Sequence, residues 1–260
     1  MSFADAAQVR SAQTSVPAPR EQSAAVQDAV AGLAEVERAT GALYEVVEGL
    51  DLRGPSLLPG WSRAHVVTHL ARNADALVNL LTWAKTGVEH QMYPSAADRD
   101  ADIAEGASRL PQLLRADLDA ACQRFVAFAR DLPPGAWEAE VAHPKAGPFR
   151  AHRVPWLRLR EVWFHLVDLD AGVGFEDLPP ELLERYVEEV VGQFAGRSDV
   201  PPARVEVVFP DGRQRSWGLT ADSDASPAVS GAAADVLGWL TGRHSGARLN
   251  GTAPTLPRWL

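Results

Sequence analysis

The sequence has almost no cysteine: Cys122 is the single one among 260 residues. One cysteine cannot form a disulfide within the chain. Cys122 lies in DAACQRFVAFA, where apolar residues recur at helical spacing, so we expect it to pack in the core rather than to react. Any thiol chemistry is therefore expected to use a thiol supplied from outside.

Long apolar runs are also missing. No run approaches the roughly 20 residues that span a bilayer, and the N-terminus lacks the apolar core of a signal peptide. We therefore expect a cytoplasmic protein with no membrane partner.

The chain lacks an excess of positive charge. It has 25 Lys and Arg against 34 Asp and Glu, which gives a formal net charge of −9. Such a chain has no general attraction for nucleic acid, and an anionic ligand would need a local arginine. No internal repeat or low-complexity block is present. The sequence does not define the oligomeric state, and a monomer is compatible with it.

What the sequence does contain, before residue 175, is helical periodicity. Residues 1–24 show none and are expected to be a flexible segment. Beyond them the apolar spacing predicts four main helices and one polar helix. The predicted spans are about 26–50, 62–87 with an N-cap at Ser62 and a stop at Gly87, the polar 95–107, 111–132 and 155–169.

The composition changes after Pro179 and Pro180. A helix at about 181–195 precedes VEVVF, a PDG turn and a second strand, which together predict a β-hairpin. AVS at 228–230 predicts a short strand, and AAADVLGWLTG predicts an apolar helix. We expect an α+β protein with a four-helix bundle over 25–175 and a small α/β domain over 176–260.

The segment WLRLREVWFHLVDLDAG is apolar on nearly all sides, which is typical of a buried helix. Glu161 and His165 are one turn apart on the same face of that helix. Because a buried carboxylate needs a compensating partner, two interpretations remain open. One is a structural polar cluster with Arg158, Arg160 or His165. The other is a metal site that a histidine from another helix completes.

The second predicted helix offers His65 and His69 for that role. At about 100° per residue, His69 lies roughly 90° from the centre of the apolar stripe and His65 roughly 130° away. His69 is therefore the better ligand candidate, and His65 is expected near the helix cap. Two histidines and one glutamate make a donor set typical of catalytic zinc, although a non-haem iron site uses the same donors.

Several segments resemble the mycothiol-dependent maleylpyruvate isomerases. These are LLPGWSRAHVVTHLARNADAL, WAKTGVEHQMY, LRLREVWFHLVDL, the TGR at 241–243 and the terminal PRWL. The resemblance implies a DinB-like metal-binding bundle followed by a small α/β domain similar to sterol-carrier proteins. It covers most of the chain from about residue 40 and is weaker at 95–150 and 175–225.

The resemblance also implies roles for single residues. The zinc ligands of the family fall on His69, Glu161 and His165, and an arginine required for activity falls on Arg243. From the residues alone, Arg243 is equally well explained as a cation at a helix C-terminus. Trp83 and Tyr93 match positions near the family's site, but we expect them to be core aromatics rather than catalytic residues.

The implied cofactors are zinc, or another divalent metal, and mycothiol, and the implied partners are a small-molecule thiol and a small dicarboxylate. In the family, metal-bound thiolate adds reversibly to the cis double bond of maleylpyruvate and fumarylpyruvate results, a step in aromatic catabolism through gentisate. Arg243 would then meet the anionic substrate, and the site would lie between the two domains. Two alternatives stay open: another mycothiol-dependent S-transferase of the same superfamily, and a non-catalytic metal-binding module.

Overall fold

The computed structural model describes residues 23–144, 147–220, 226 and 228–259. Of the predicted flexible segment 1–24, residues 1–22 lie outside the described part of the chain. The described chain contains helices, strands and short 3₁₀ helices in the following order: α1 (Ala24–Glu48), α2 (Arg63–Thr86), α3 (Ala96–Ala107), α4 (Pro111–Arg130), a 3₁₀ helix (Pro134–Glu138), β1 (Glu140–His143), β2 (Gly147–Arg150), a 3₁₀ helix (Ala151–Arg153), α5 (Val154–Asp168), a 3₁₀ helix (Phe175–Asp177), α6 (Pro180–Phe194), β3 (Arg204–Val208), β4 (Gln214–Gly218), β5 (Ala228–Ala232) and α7 (Ala233–Leu240).

Helices α1, α2, α4 and α5 form the N-terminal bundle, with α2 packed against α4 and α5, and α1 packed against α5 and α4. Their buried faces carry most of the apolar residues whose spacing predicted them, although Val30 of α1 and Leu113 of α4 are exposed. The predicted limits of α2 are confirmed, because Ser62 is its N-cap and Gly87 ends it in the left-handed region with φ of 73°. The packing leaves α2 and α5 side by side.

The polar helix α3 lies against α2 at a place of close approach. A Cβ on Gly106 would stand 2.4 Å from Cγ2 of Thr68, so a larger residue would push the two helices apart. Ile103, Gly106 and Ala107 are the buried residues of α3, and its first turns are more exposed. Arg99 in those turns is consequently held near α2 without being buried.

A buried arginine crosses the bundle core between α5, α2 and α4. The guanidinium of Arg158 donates to the carbonyl of Leu70 at 2.8 Å, to Asn73 Oδ1 at 2.9 Å and to Cys122 Sγ at 3.2 Å. These bonds offset part of the cost of burying a cation. Cys122 is buried as expected and also accepts a hydrogen bond there.

The C-terminal part contains a three-stranded sheet in the order β4-β3-β5. The predicted hairpin is confirmed as β3 and β4, which pair antiparallel, while β5 pairs with β3 in parallel. Helices α6 and α7 pack against each other beside this sheet. The α+β prediction is therefore confirmed, whereas the small antiparallel pair β1–β2 within the N-terminal part was not predicted.

No helix in the described ranges combines the length and the apolar character needed to cross a membrane.

Candidate metal centre

Three side chains from α2 and α5 converge in the bundle. Nε2 of His69 lies 2.9 Å from Oε2 of Glu161, and Nε2 of His165 lies 3.5 Å from the same oxygen. The two imidazole rings are 4.6 Å apart and nearly perpendicular. One potential ligand atom from each residue lies within 4.8 Å of the others. The structure thus brings together the three residues that the sequence singled out as ligands.

The surroundings of these side chains set their charges. Burial lowers the pKa of His69 to about 4, so its imidazole is neutral at pH 7. Burial alone raises the pKa of Glu161, but hydrogen bonds to His165 and His69 outweigh it and hold the pKa well below its usual range. The side chain of Glu161 remains 23% exposed and that of His165 13% exposed. An ionised carboxylate and two imidazoles therefore meet at a site that solvent can still reach.

The arginines considered as partners of Glu161 are engaged elsewhere. Arg158 takes part in the hydrogen bonds of the bundle core, and Arg160 is hydrogen-bonded to Glu189 of α6. Of the three partners in the structural alternative, His165 is the one that contacts Glu161.

His65 has a different role from His69. Its Nδ1 lies 2.8 Å from Oγ of Ser62 and accepts the backbone N–H of that residue at 3.2 Å. Its ring stacks on Trp61. His65 thus caps the start of α2, as its position in the sequence predicted.

A chain of hydrogen bonds runs from His165 to the C-terminal part. Nδ1 of His165 lies 2.8 Å from Oδ2 of Asp168, which is fully buried at the end of α5. Arg243 donates to both oxygens of that carboxylate, at 3.0 Å from Nε and 2.7 Å from Nη2. Burial raises the pKa of Asp168, but the bonds to His165 and Arg243 outweigh it and lower the pKa. The ionised Asp168 accepts a hydrogen bond from Nδ1–H of His165, and Nε2 of that ring is directed at Glu161.

Arg243 is therefore connected to the candidate ligand His165 through Asp168, which both residues contact. Its Nη1 donates to the carbonyl of Thr241 at 2.9 Å, and its guanidinium lies over the ring of Phe164. A cation that only interacts with the C-terminal end of α7 would not need these contacts with Asp168 and Phe164. Among the described residues, those bonds use three of the five N–H groups of the guanidinium and leave two.

An arginine and aromatic rings lie near His69. Nη2 of Arg99 lies 3.3 Å from Nδ1 of His69, and its guanidinium lies 5.9 Å from the ring centre of Tyr93. The ring of Trp61 lies 5.7 Å from that of His69. Trp83 is half-buried against the hydrophobic core, as expected. Tyr93 also packs on the core, and its ring lies near the guanidinium of Arg99.

The sequence interpretation missed Asp168 and Arg99. Asp168 had a usable signal, because it is a carboxylate three residues after His165 at the end of an otherwise apolar helix. Arg99 had none, since an arginine among the aspartates of a polar helix looks like any solvated residue.

The donor set fits a divalent metal. Two imidazole nitrogens directed at one carboxylate oxygen provide three protein ligands, and the remaining coordination positions stay free for water or substrate. The carboxylate that holds Nδ1 of His165 matches the support that metal-bound histidines usually have. Fold and site together define a helical-bundle protein with a candidate metal centre, joined to a small α/β domain.

The chain belongs to the mycothiol maleylpyruvate isomerase family of enzymes. The family's N-terminal domain matches residues 33–170, and its C-terminal domain matches residues 177–258. The expected domain limit at 175/176 falls in the interval between the two matched segments, and it stays a prediction.

Two solved structures are similar over most of the chain. A crystal structure of the mycothiol-dependent maleylpyruvate isomerase is 29% identical, with a TM-score of 0.74, and the match covers 90% of this chain and 95% of that one. A crystal structure of a histidine-to-alanine mutant of mycothiol-dependent maleylpyruvate isomerase is 28% identical, with the same TM-score and coverage. No curated protein sequence matches the chain significantly.

Proposed function

We propose that this protein is a zinc- and mycothiol-dependent isomerase that converts maleylpyruvate to fumarylpyruvate. The observation that carries the proposal is the convergence of His69, Glu161 and His165 on one point of the bundle. Family membership along both parts of the chain, and the similarity to solved isomerases of that name, support the choice of reaction.

In the proposed reaction His69, Glu161 and His165 would hold the zinc. A bound zinc would keep a coordinated thiol in its thiolate form at neutral pH, which is the nucleophile that reversible addition to the cis double bond requires. The carboxylate of Glu161 would partly neutralise the metal charge, and Asp168 would fix the tautomer of His165 so that its Nε2 can act as a ligand.

We propose that Arg243 is required for turnover. Its bidentate contact with Asp168 orients a ligand-supporting carboxylate, and its two remaining N–H groups can donate to an anionic substrate. Because Arg243 follows α7 and Asp168 ends α5, their ion pair also ties the C-terminal part to the helix that carries two of the ligands.

The experiment that tests the proposal follows maleylpyruvate and free thiol together in one reaction with zinc-loaded protein and mycothiol. In an isomerisation by addition and elimination, the thiol is regenerated, so fumarylpyruvate accumulates while free thiol stays constant. Loss of one thiol for each substrate consumed would instead indicate an S-transferase. No change in either compound would contradict the proposed reaction.

The thiol is expected to come from outside and not from Cys122. Cys122→Ala should leave mycothiol-dependent turnover largely intact and lower the free energy of unfolding by about 1–2 kcal/mol, because a packed side chain is trimmed and Arg158 loses an acceptor. Cys122→Ser is the matched control, since its hydroxyl can still accept from Arg158. Urea denaturation and steady-state rates measure both effects, and a folded Cys122→Ala protein without activity would contradict the external thiol.

A further inference from the structure

Arg99 differs from other arginines around the centre in how weakly its charge is compensated. Its Nη1 donates to Asp100 at 2.7 Å, but that carboxylate is 68% exposed, and exposed ion pairs of this kind contribute little. The side chain of Arg99 is itself 30% exposed. By contrast, Arg243 donates to both carboxylate oxygens of the fully buried Asp168. Arg99 therefore keeps a positive charge that is available to a ligand.

The contact between Arg99 and His69 fixes which ring nitrogen of His69 carries the proton. A guanidinium has only donors, so Nδ1 of His69 must accept from Arg99. The proton of this neutral imidazole is then on Nε2, from which it is donated to Glu161. In His165, by contrast, the proton is on Nδ1, which donates to Asp168.

Metal coordination by His69 is incompatible with that contact. If His69 binds through Nε2, its proton must move to Nδ1, where it would face an N–H group of Arg99. If it binds through Nδ1, the metal occupies the place that Arg99 approaches. Either route separates Arg99 from His69 and leaves a guanidinium beside the centre, over the ring of Tyr93.

We infer that Arg99 binds a carboxylate of the anionic substrate at the metal centre. The inference rests on the proposed function, which supplies a small dicarboxylate as substrate. A planar guanidinium meets a carboxylate with two parallel hydrogen bonds, and the partly exposed side chain of Arg99 can be reached by a substrate from solvent. The close contact at Gly106 holds α3 against α2 and so keeps Arg99 near the ligands.

Maleate, a cis dicarboxylate that resembles part of the substrate, is the probe for this role. Its dissociation constant for zinc-loaded protein without thiol is measured by calorimetry for wild type, Arg99→Ala, Arg99→Lys and Arg109→Ala. Arg109 follows the other end of α3 and makes only loose ion pairs, so it is the matched control. We expect Arg99→Ala to weaken maleate binding about 10-fold or more, Arg99→Lys to keep part of the affinity, and Arg109→Ala to match wild type.

Zinc affinity against a competing chelator and steady-state kinetics complete the test. Arg99→Ala should bind zinc as tightly as wild type or a few-fold more tightly, and its KM for maleylpyruvate should rise more than its kcat falls. Unchanged maleate affinity and KM in Arg99→Ala would overturn the inference. Loss of zinc would overturn it too, because Arg99 would then support His69 instead.

The maleate measurement needs neither thiol nor turnover, so the two proposals can fail separately. Wild-type isomerisation with no effect of Arg99→Ala on maleate overturns the role of Arg99 alone. A clear effect on maleate in a protein that does not isomerise maleylpyruvate overturns the proposed reaction and supports a carboxylate site at Arg99.

Discussion

Replacing His69, Glu161 or His165 by alanine is expected to remove most of the bound zinc and to abolish turnover. Wild-type protein should hold about one zinc per chain, and each variant should bind it at least about 100-fold more weakly, because two donors remain where three converge. Elemental analysis after dialysis against a mild chelator measures the stoichiometry, and competition with a chromophoric chelator measures the affinity.

His65→Ala is the matched control for these variants. It removes an imidazole from the same helix, one turn before His69, but His65 caps α2 through Ser62. We expect the variant to retain zinc while its free energy of unfolding falls by about 1 kcal/mol. Full zinc content in all three ligand variants would rule out the site, and zinc loss in His65→Ala alone would show that the wrong histidine of α2 was chosen.

Arg243→Ala is expected to separate metal binding from catalysis. The variant should retain zinc while kcat/KM falls by about 100-fold or more, equivalent to about 3 kcal/mol of transition-state stabilisation. Its free energy of unfolding should fall as well, because the buried Asp168 loses its cationic partner. Rates are therefore measured on folded protein whose zinc content has been determined.

Two further variants show what Arg243 contributes. Arg243→Lys should restore activity only in part, because an ammonium cannot donate to both oxygens of Asp168 as the guanidinium does. Arg248→Ala removes an exposed arginine of the same domain with a long contact to Asp235, and it should behave as wild type. Near-normal kinetics in zinc-loaded Arg243→Ala would leave Arg243 as a helix-end cation and remove it from the site.

The helices were predictable because their signals are local. In α2 the apolar stripe, the N-cap Ser62 and the left-handed Gly87 all lie within the segment, so sequence spacing was sufficient. The pair β1–β2 had no comparable signal, because strands of four residues show too little alternation to stand out. The parallel pairing of β5 with β3 likewise depends on how distant segments pack and not on either segment alone.

Two of the three ligand candidates were predictable for a different reason. Glu161 and His165 are ionisable residues in a helix with almost no polar face, and burial of such residues requires a partner. Only tertiary packing shows that Arg158 turns to Asn73 and Cys122 instead, and that α3 brings Arg99 to His69. Charged residues on exposed helices have the same sequence pattern whether or not they face a site.

The most direct test of the account is the rate of fumarylpyruvate formation from maleylpyruvate by zinc-loaded and zinc-stripped protein, each with and without mycothiol. We expect turnover only when zinc and mycothiol are both present, and its return when stripped wild-type protein is reloaded with zinc. His69→Ala should remain inactive after the same treatment. Turnover that persists without mycothiol, or in His69→Ala, would contradict the claim that His69, Glu161 and His165 activate an external thiol.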